Sequence, residues 1–309
     1  MTKNALFKVA ALLLAVGLSS PTPVWGENRF GPQGQEGLPN RRQDWLVPTQ
    51  DQITPSRAVL FRPPGKGPFR LAVIAHASTQ NRLARAQMPQ PEYPALAAAL
   101  VSRGFAVLVP QRLGHGKTGG PYLEDQEGCD NAEYAMSARS TAEAITTALT
   151  FMRTQPFVRK DASVIVGHSA GGWGALALAD QSPKSISAII VFAPGRGGRA
   201  NDRAGNICAP DKLIAAATEF GEGAKVPVTW LVADNDSFFP PEFSKRMADA
   251  FIEAGDDKVD FKVLPAFGTE GHWLAEAGEV SAMESILANV AGLNVQAPVA
   301  QGASAKGKK

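Results

Sequence analysis

The chain has 309 residues, of which 44% are hydrophobic and 19% charged, and its formal net charge at pH 7 is +2. These proportions are typical of a globular protein and exclude a largely disordered chain. The length suffices for one large α/β domain or two small ones.

The first 26 residues have the pattern of a secretory signal peptide. Lys3 and Lys8 supply a positively charged start, and an apolar run at 9–18 follows that is too short to span a bilayer. Val24 and Gly26 would stand at the −3 and −1 positions of a cleavage site. We therefore expect an exported protein, periplasmic or secreted; an uncleaved membrane anchor is the alternative.

The charge of the remaining chain bears on its partners. Removal of residues 1–26 takes away two lysines and no acidic residue, so that 29 basic and 29 acidic side chains remain. A net charge of zero argues against a nucleic acid or an anionic membrane as partner. We expect no nucleic-acid partner, no membrane partner after signal cleavage, and a small-molecule substrate.

The rest of the chain alternates short apolar runs with helical patterns. Residues 27–56 are rich in Gly, Pro, Gln and Arg, which predicts an extended, weakly ordered lead-in. Strands are predicted at 57–62, 71–75, 105–109, 163–166, 187–192, 226–233 and 259–264. Helices are predicted at 93–103, 132–153, 174–179, 210–220, 240–254 and 279–291.

This alternation predicts an α/β protein, with a doubly wound, mostly parallel sheet and helices on both faces. The domain would cover residues 57–291, and an Ala-, Gly- and Lys-rich tail at 292–309 is expected to be disordered. In such sheets the site lies beyond the carboxyl ends of the strands.

The most specific motif is the G-x-S-x-G sequence GHSAG at residues 167–171, between a predicted strand and a predicted helix. A sharp turn there would strain the dihedral angles of Ser169 and expose its hydroxyl, while the glycines let the two backbones pass closely. The Ala170 N–H, at the helix N-terminus, would be free to hold an oxyanion. A plain glycine-rich turn is the alternative, but the flanking elements favour a nucleophile elbow.

A serine nucleophile needs a base within hydrogen-bond reach, and the base needs an orienting carboxylate. Of the four histidines, His272 is the preferred base, because it follows the last strand in a glycine-flanked loop; a surface histidine is the alternative. His168 adjoins the serine and cannot easily fold back onto it. His76 ends a strand and His115 lies in the long loop at 110–131.

The acid and the second oxyanion donor are less sharply defined. Asp234 and Asp236 follow the strand at 226–233, and Asp236 is favoured because it lies further into the loop. The second oxyanion N–H is expected after the strand at 71–75, at either Ala77 or Ser78.

Other loop residues are candidates for lesser roles. Cys129 and Cys208 lie in two long loops and predict one disulfide in an exported chain, with two buried free thiols as the alternative. For His115 and Lys117 a solvated loop is preferred over contact with substrate from a lid. Trp173 and Trp273 either line an acyl pocket or pack in the core. Arg196, Arg199 and Arg203 either bind an acidic group of the substrate or are exposed loop charges.

Residues 57–291 resemble the α/β-hydrolase superfamily, close to its dienelactone-hydrolase-like and prolyl-oligopeptidase-like branches. The resemblance rests on the elbow GHSAGGWG, the acid loop ADNDSFFPP and the base loop FGTEGHW. It implies Ser169 as nucleophile, Asp236 as acid and His272 as base, in the chain order of that fold, with no metal ion and no organic cofactor.

Dienelactone hydrolases proper use a cysteine nucleophile, so the serine here favours a general carboxylic ester hydrolase. A peptidase or amidase of the prolyl-oligopeptidase-like type ranks lower, because no N-terminal propeller precedes the domain. A non-catalytic hydrolase-like binding protein ranks last, since a nucleophile, an acid and a base all stand in the expected order.

Overall fold

The computed structural model describes residues 29–181, 183–255, 259–290 and 292–293. The predicted signal peptide at 1–26 lies outside these residues, as does the predicted tail from residue 294 onward. In the described ranges, no helix combines the length and the hydrophobicity that a membrane span needs.

One sheet dominates the described residues. Its strands are β1 (Gly31–Pro32), β2 (Gln43–Val47), β3 (Ser56–Phe61), β4 (Arg70–Ala75), β5 (Phe105–Pro110), β6 (Ser163–His168), β7 (Ile186–Phe192), β8 (Val228–Ala233) and β9 (Val259–Leu264). Their order is β1-β2-β3-β5-β4-β6-β7-β8-β9. Strands β4 to β9 all pair in parallel. Strands β1, β2 and β3 extend the sheet at one edge through antiparallel pairs.

Helices cover both faces of the sheet. They are α1 (Arg82–Ala86), α2 (Pro94–Val101), α3 (Tyr134–Met152), α4 (Ala170–Asp180), α5 (Pro210–Glu222), α6 (Pro241–Ala254), α7 (Leu274–Ala277) and α8 (Val280–Leu287). Helices α3 to α6 pack on one face, and α2, α7 and α8 on the other. Strands β5, β6 and β8 are buried along their whole length, which explains their apolar runs. The predicted doubly wound, mostly parallel sheet is confirmed.

The lead-in differs from the prediction. Its composition predicts no regular element before residue 57, yet β1 and β2 lie there and β2 pairs with β3 from Gln43 to Val47. Burial alternates along β2: Trp45 and Val47 point into the core, whereas Asp44 is exposed. This period-two pattern is the signal of a strand, but it covers only five residues among many Gly and Pro residues.

Two long loops form one side of the sheet's carboxyl edge. The first follows β5 and the second follows β7, and a disulfide between Cys129 and Cys208 joins them across 79 residues of sequence. This confirms the predicted disulfide. Because long loops without regular structure gain most from a cross-link, the bond restricts two segments that would otherwise have many conformations.

We expect the double substitution Cys129→Ala and Cys208→Ala to lower the free energy of unfolding by about 2–4 kcal/mol, because the unfolded chain regains the entropy of a long closed loop. Urea denaturation measures the change. A reductant should bring the wild type to the stability of the variant and leave the variant unaffected. Equal stability of variant and oxidised wild type would contradict the prediction.

Candidate active site

The turn from β6 to α4 holds Ser169 in a strained conformation. Its φ of 52° and ψ of −119° lie outside the regions that non-glycine residues favour. A Cβ at Gly167 would lie 2.5 Å from the Gly172 Cα, and one at Gly171 would lie 2.1 Å from the Ala75 carbonyl oxygen. The two glycines are therefore required by the close approach of strand, turn and helix, and they have the geometry of a nucleophile elbow.

His272 and Asp236 form a buried pair beyond the ends of β8 and β9. The Nδ1 atom of His272 lies 3.0 Å from Oδ2 of Asp236, and both side chains are almost fully buried. The other carboxylate oxygen, Oδ1, accepts the backbone N–H groups of Phe238 and Phe239, each at 2.8 Å. Because a carboxylate accepts, Nδ1 of His272 donates, and in the neutral form of the ring Nε2 is then the acceptor. Asp234 is exposed.

Two further side chains hold the base loop, and sequence reasoning missed both. The Phe238 ring stacks on the imidazole of His272, with 4.1 Å between ring centroids and 18° between planes. Glu270 accepts the backbone N–H groups of His272 and Ser237, each at 3.0 Å, and also the Ser237 hydroxyl. Burial opposes ionisation of Glu270, but these hydrogen bonds outweigh it and lower its pKa. The sequence does contain both partners of this contact: Glu270 stands two residues before His272, and Ser237 directly follows Asp236.

The loop after β4 contains the two candidate oxyanion donors, and they differ in their partners. The Ala77 N–H donates to the Tyr93 hydroxyl at 3.0 Å, so it is not free. For the Ser78 N–H, no acceptor is found among the described residues. The Ser78 hydroxyl lies 2.7 Å from Nε2 of His115, whose Nδ1 donates to the Leu113 carbonyl at 2.9 Å.

These groups meet at one cavity of about 910 Å³. Ser169, Ala170, Ser78 and His272 all line it. A volume of this size is in the range of small-molecule sites. The disulfide forms part of its wall, and Trp273 borders both this cavity and a second one of about 510 Å³ that also reaches Ser78.

The remaining sequence candidates fall into two groups. Trp173 is fully buried against Phe220 and donates its Nε1–H to the Tyr134 carbonyl, so it is a packing residue. Trp273 is 41% exposed and faces the cavities. Lys117 is exposed, as a solvated loop predicts.

The structure changes the expectations for His115 and for Arg199. The prediction that His115 is solvated is wrong: its ring is fully buried, because the loop after β5 folds back onto the body of the protein. Arg199 pairs with Asp202 and Glu270 at the cavity rim, and Arg203 is exposed.

Arg196 belongs to a buried ion cluster that sequence reasoning missed. Glu124 lies between the guanidinium groups of Arg112 and Arg196, and all three side chains are buried. Burial opposes ionisation of Glu124, but the two positive charges outweigh it and hold its pKa well below the usual value. The cluster links the same two loops as the disulfide. Among the described residues, no group of His, Cys, Asp or Glu side chains is arranged to hold a metal ion.

Three histidines other than His272 are buried and neutral. Burial lowers the pKa of His115 to about 4 and of His168 to about 3, and it holds the pKa of His76 well below its usual value. His76 donates from Nδ1 to the Ala77 carbonyl at 2.6 Å and accepts the Arg112 N–H at Nε2. Each ring thus uses its neutral form to both donate and accept.

This burial predicts a protein that loses stability in mild acid. The three rings stay neutral in the folded state but bind protons in the unfolded state below about pH 6.5, so the free energy of unfolding falls as pH falls. Three such groups give a slope of about 3 kcal/mol per pH unit between about pH 6 and pH 5, above the range where carboxylates titrate. Urea denaturation at several pH values measures it, and His115→Asn should reduce the slope by about a third. A wild-type stability that does not change with pH would contradict the prediction.

Known proteins support the same fold. A model of the alpha/beta hydrolase family matches residues 72–280. The structure is similar to an esterase of Pyrococcus furiosus (15% identity, 84% of this chain and 98% of that chain, TM-score 0.54). It is also similar to a putative dienelactone hydrolase from Klebsiella pneumoniae (13% identity, 80% and 96%, TM-score 0.52) and to a puromycin-hydrolyzing peptidase of Mycobacterium tuberculosis (18% identity, 82% and 40%, TM-score 0.55).

At such low identities the structural likeness establishes the fold alone. No curated protein matches the sequence. The family model covers more than half of the chain, and the elbow, the sheet and the order of the loops agree with it. The chain therefore belongs to the alpha/beta hydrolase family.

Proposed function

We propose that this protein is an exported serine hydrolase that cleaves carboxylic esters through an acyl-enzyme on Ser169. The proposal rests on one observation: the same cavity is lined by a strained serine, a carboxylate-bound imidazole and Ser78, whose backbone N–H has no acceptor among the described residues. The disulfide supports export, because such bonds persist in oxidising compartments.

The first half of the reaction forms the acyl-enzyme. Nε2 of His272 takes the proton of the Ser169 hydroxyl as the oxygen attacks the ester carbonyl carbon. Asp236 keeps the proton on Nδ1 and stabilises the imidazolium that results. The carbonyl oxygen becomes an oxyanion that accepts the N–H groups of Ala170 and Ser78. When this intermediate collapses, the C–O bond to the alcohol breaks and His272 gives its proton to the leaving oxygen.

The second half restores the enzyme. His272, again neutral, takes a proton from a water molecule that attacks the acyl carbon. The same two N–H groups hold the second oxyanion. Collapse releases the carboxylic acid and returns the proton to the oxygen of Ser169.

The choice of Ser78 over Ala77 follows from hydrogen bonding. An N–H group stabilises an oxyanion only when it is not already bonded to the protein. Tyr93 accepts the Ala77 N–H, whereas His115 engages only the side chain of Ser78. The Ser78 N–H is therefore the donor that we assign together with Ala170.

We expect Ser169→Ala and His272→Ala to lower kcat for p-nitrophenyl esters by roughly 10⁴-fold or more, because the acyl-enzyme no longer forms. A series of acyl lengths gives the size of the pocket, and mass spectrometry after treatment with a fluorophosphonate should show one adduct on Ser169. Ester hydrolysis that survives in Ser169→Ala would overturn the proposal. Inactivity on esters, together with cleavage of peptide or amide substrates, would support the peptidase or amidase alternative.

Two neighbouring aspartates provide a matched pair. Asp236→Asn should lower kcat by about 10³–10⁴-fold, because the amide cannot stabilise the imidazolium and favours the wrong tautomer of His272. Asp234→Asn should leave kcat close to wild type, because that side chain is exposed. Equal losses in the two variants would contradict the assignment of the acid.

A further inference from the structure

A chain of buried hydrogen bonds runs beneath the cavity from the oxyanion loop to the base loop. The Ala77 N–H donates to the Tyr93 hydroxyl at 3.0 Å, and that hydroxyl lies 3.0 Å from Nδ1 of His168. Nε2 of His168 lies 2.7 Å from the backbone carbonyl oxygen of His272. Tyr93, His168 and His272 are each at most 2% exposed, so water does not compete for these bonds.

The direction of every bond in this chain is fixed by chemistry. A carbonyl oxygen only accepts, so Nε2 of His168 carries the hydrogen. The Nδ1 atom of the neutral ring must then accept, and the Tyr93 hydroxyl donates to it. This leaves the Tyr93 oxygen free to accept the Ala77 N–H. Burial lowers the pKa of His168 to about 3, so the ring holds this neutral form at ordinary pH.

The two ends of the chain are the two loops whose relative position the reaction depends on. Ala77 precedes Ser78, which supplies the proposed oxyanion N–H, and the last bond holds the backbone of His272, the proposed base. His168 itself directly precedes Ser169. The bonded groups thus adjoin the proposed donor, nucleophile and base, and Tyr93 and His168 are not among the residues that line the larger cavity.

The backbone of Tyr93 also indicates a constrained role. Its φ is 51° and its ψ is 54°, in the left-handed region that a bulky residue rarely adopts. Such strain persists only where surrounding contacts determine the conformation. Tyr93 directly precedes the first residue of α2, and in this backbone conformation its hydroxyl contacts both Ala77 and His168.

We propose that Tyr93 and His168 are positioning residues that couple the oxyanion loop to the base loop and so keep Ser78, Ser169 and His272 in one relative geometry. The inference rests on the proposed serine hydrolase function. Loss of the Tyr93 hydroxyl leaves the Ala77 N–H without its acceptor and the His168 ring without its donor. The loop can then shift, and displacements of about 1 Å at a reacting centre cost about 10²-fold in rate.

The test compares Tyr93→Phe with Tyr134→Phe. Tyr134 is a matched control, because it is equally buried and its hydroxyl also donates a hydrogen bond, to the Cys208 carbonyl in the cavity wall, but this bond involves neither the oxyanion loop nor the base loop. Tyr93→Phe should lower kcat for a p-nitrophenyl ester by about 10–100-fold with KM changed by less than about threefold. Tyr134→Phe should keep kcat within about threefold of wild type.

A transition-state analogue separates positioning from a loss of stability. A trifluoromethyl ketone adds to the serine and places an oxyanion at the two N–H donors, so Tyr93→Phe should weaken its inhibition by the same factor as kcat/KM. The carboxylic acid product should bind with unchanged affinity. Wild-type kcat and wild-type affinity for the ketone in Tyr93→Phe would overturn the positioning role. So would a loss of activity in Tyr134→Phe as large as that in Tyr93→Phe.

The other end of the chain gives an independent variant should Tyr93→Phe fold poorly. The side-chain amide of His168→Gln can still donate to the His272 carbonyl, whereas His168→Leu cannot. His168→Gln should therefore retain about tenfold more kcat than His168→Leu, and equal activity of the two would count against the proposal. Ser169→Ala in the same assay separates the two hypotheses: if it is inactive while Tyr93→Phe is fully active, only the positioning role fails. If Ser169→Ala is active, the proposed function fails and the positioning role with it.

Discussion

The contact between α4 and the end of β4 is the constraint on which the candidate site depends. The Cα of Gly171 lies so close to the Ala75 carbonyl that no side chain fits between them. This approach brings the first turn of α4, with its free N–H groups, against the loop that contains Ser78. The tight turn in which Ser169 takes a positive φ lies directly before this contact. One backbone contact therefore helps to place both the proposed nucleophile and the proposed oxyanion donors.

The cavity wall depends on cross-links rather than on regular structure. The loops after β5 and β7 contribute no strand to the sheet, and they are joined to each other by the disulfide and the Glu124 cluster. Glu124 is surrounded by two arginines, so its removal would leave two buried positive charges uncompensated, which costs several kcal/mol. A covalent bond and a buried ion cluster thus join the two loops and add to the backbone hydrogen bonds within each of them.

The parts of the fold that the sequence predicts well are those with a local signal. The apolar runs of the central strands and the G-x-S-x-G turn depend on residues adjacent in the chain, and both are recognisable without a structure. Strand β2 was missed because its alternation is short and its neighbours are rich in Gly and Pro. Its burial comes from pairing with β3, which is a tertiary contact.

The site shows the same division. Asp234 and Asp236 differ only by two positions in sequence, and it is the burial of Asp236 and its bond to His272 that separate them. Ala77 and Ser78 are adjacent, and only the hydroxyl of Tyr93, which belongs to another element, shows which N–H is engaged. His115 lies in a glycine-rich loop typical of solvent exposure, but the loop folds inward. In each case the deciding partner is distant in sequence.

The four histidines show how the environment assigns different roles to one side chain. All four are buried, so the burial of His272 does not distinguish it. His76, His115 and His168 have both ring nitrogens bonded to protein groups, and each therefore has one fixed neutral form. His272 alone among them faces a carboxylate at Nδ1, while its Nε2 has no hydrogen-bond partner among the described residues. A ring that gains and loses a proton needs a charge to stabilise its cation and one nitrogen that no structural hydrogen bond occupies, so that this nitrogen can serve the serine hydroxyl. Of the four histidines, His272 meets both conditions, in agreement with its proposed role as the base.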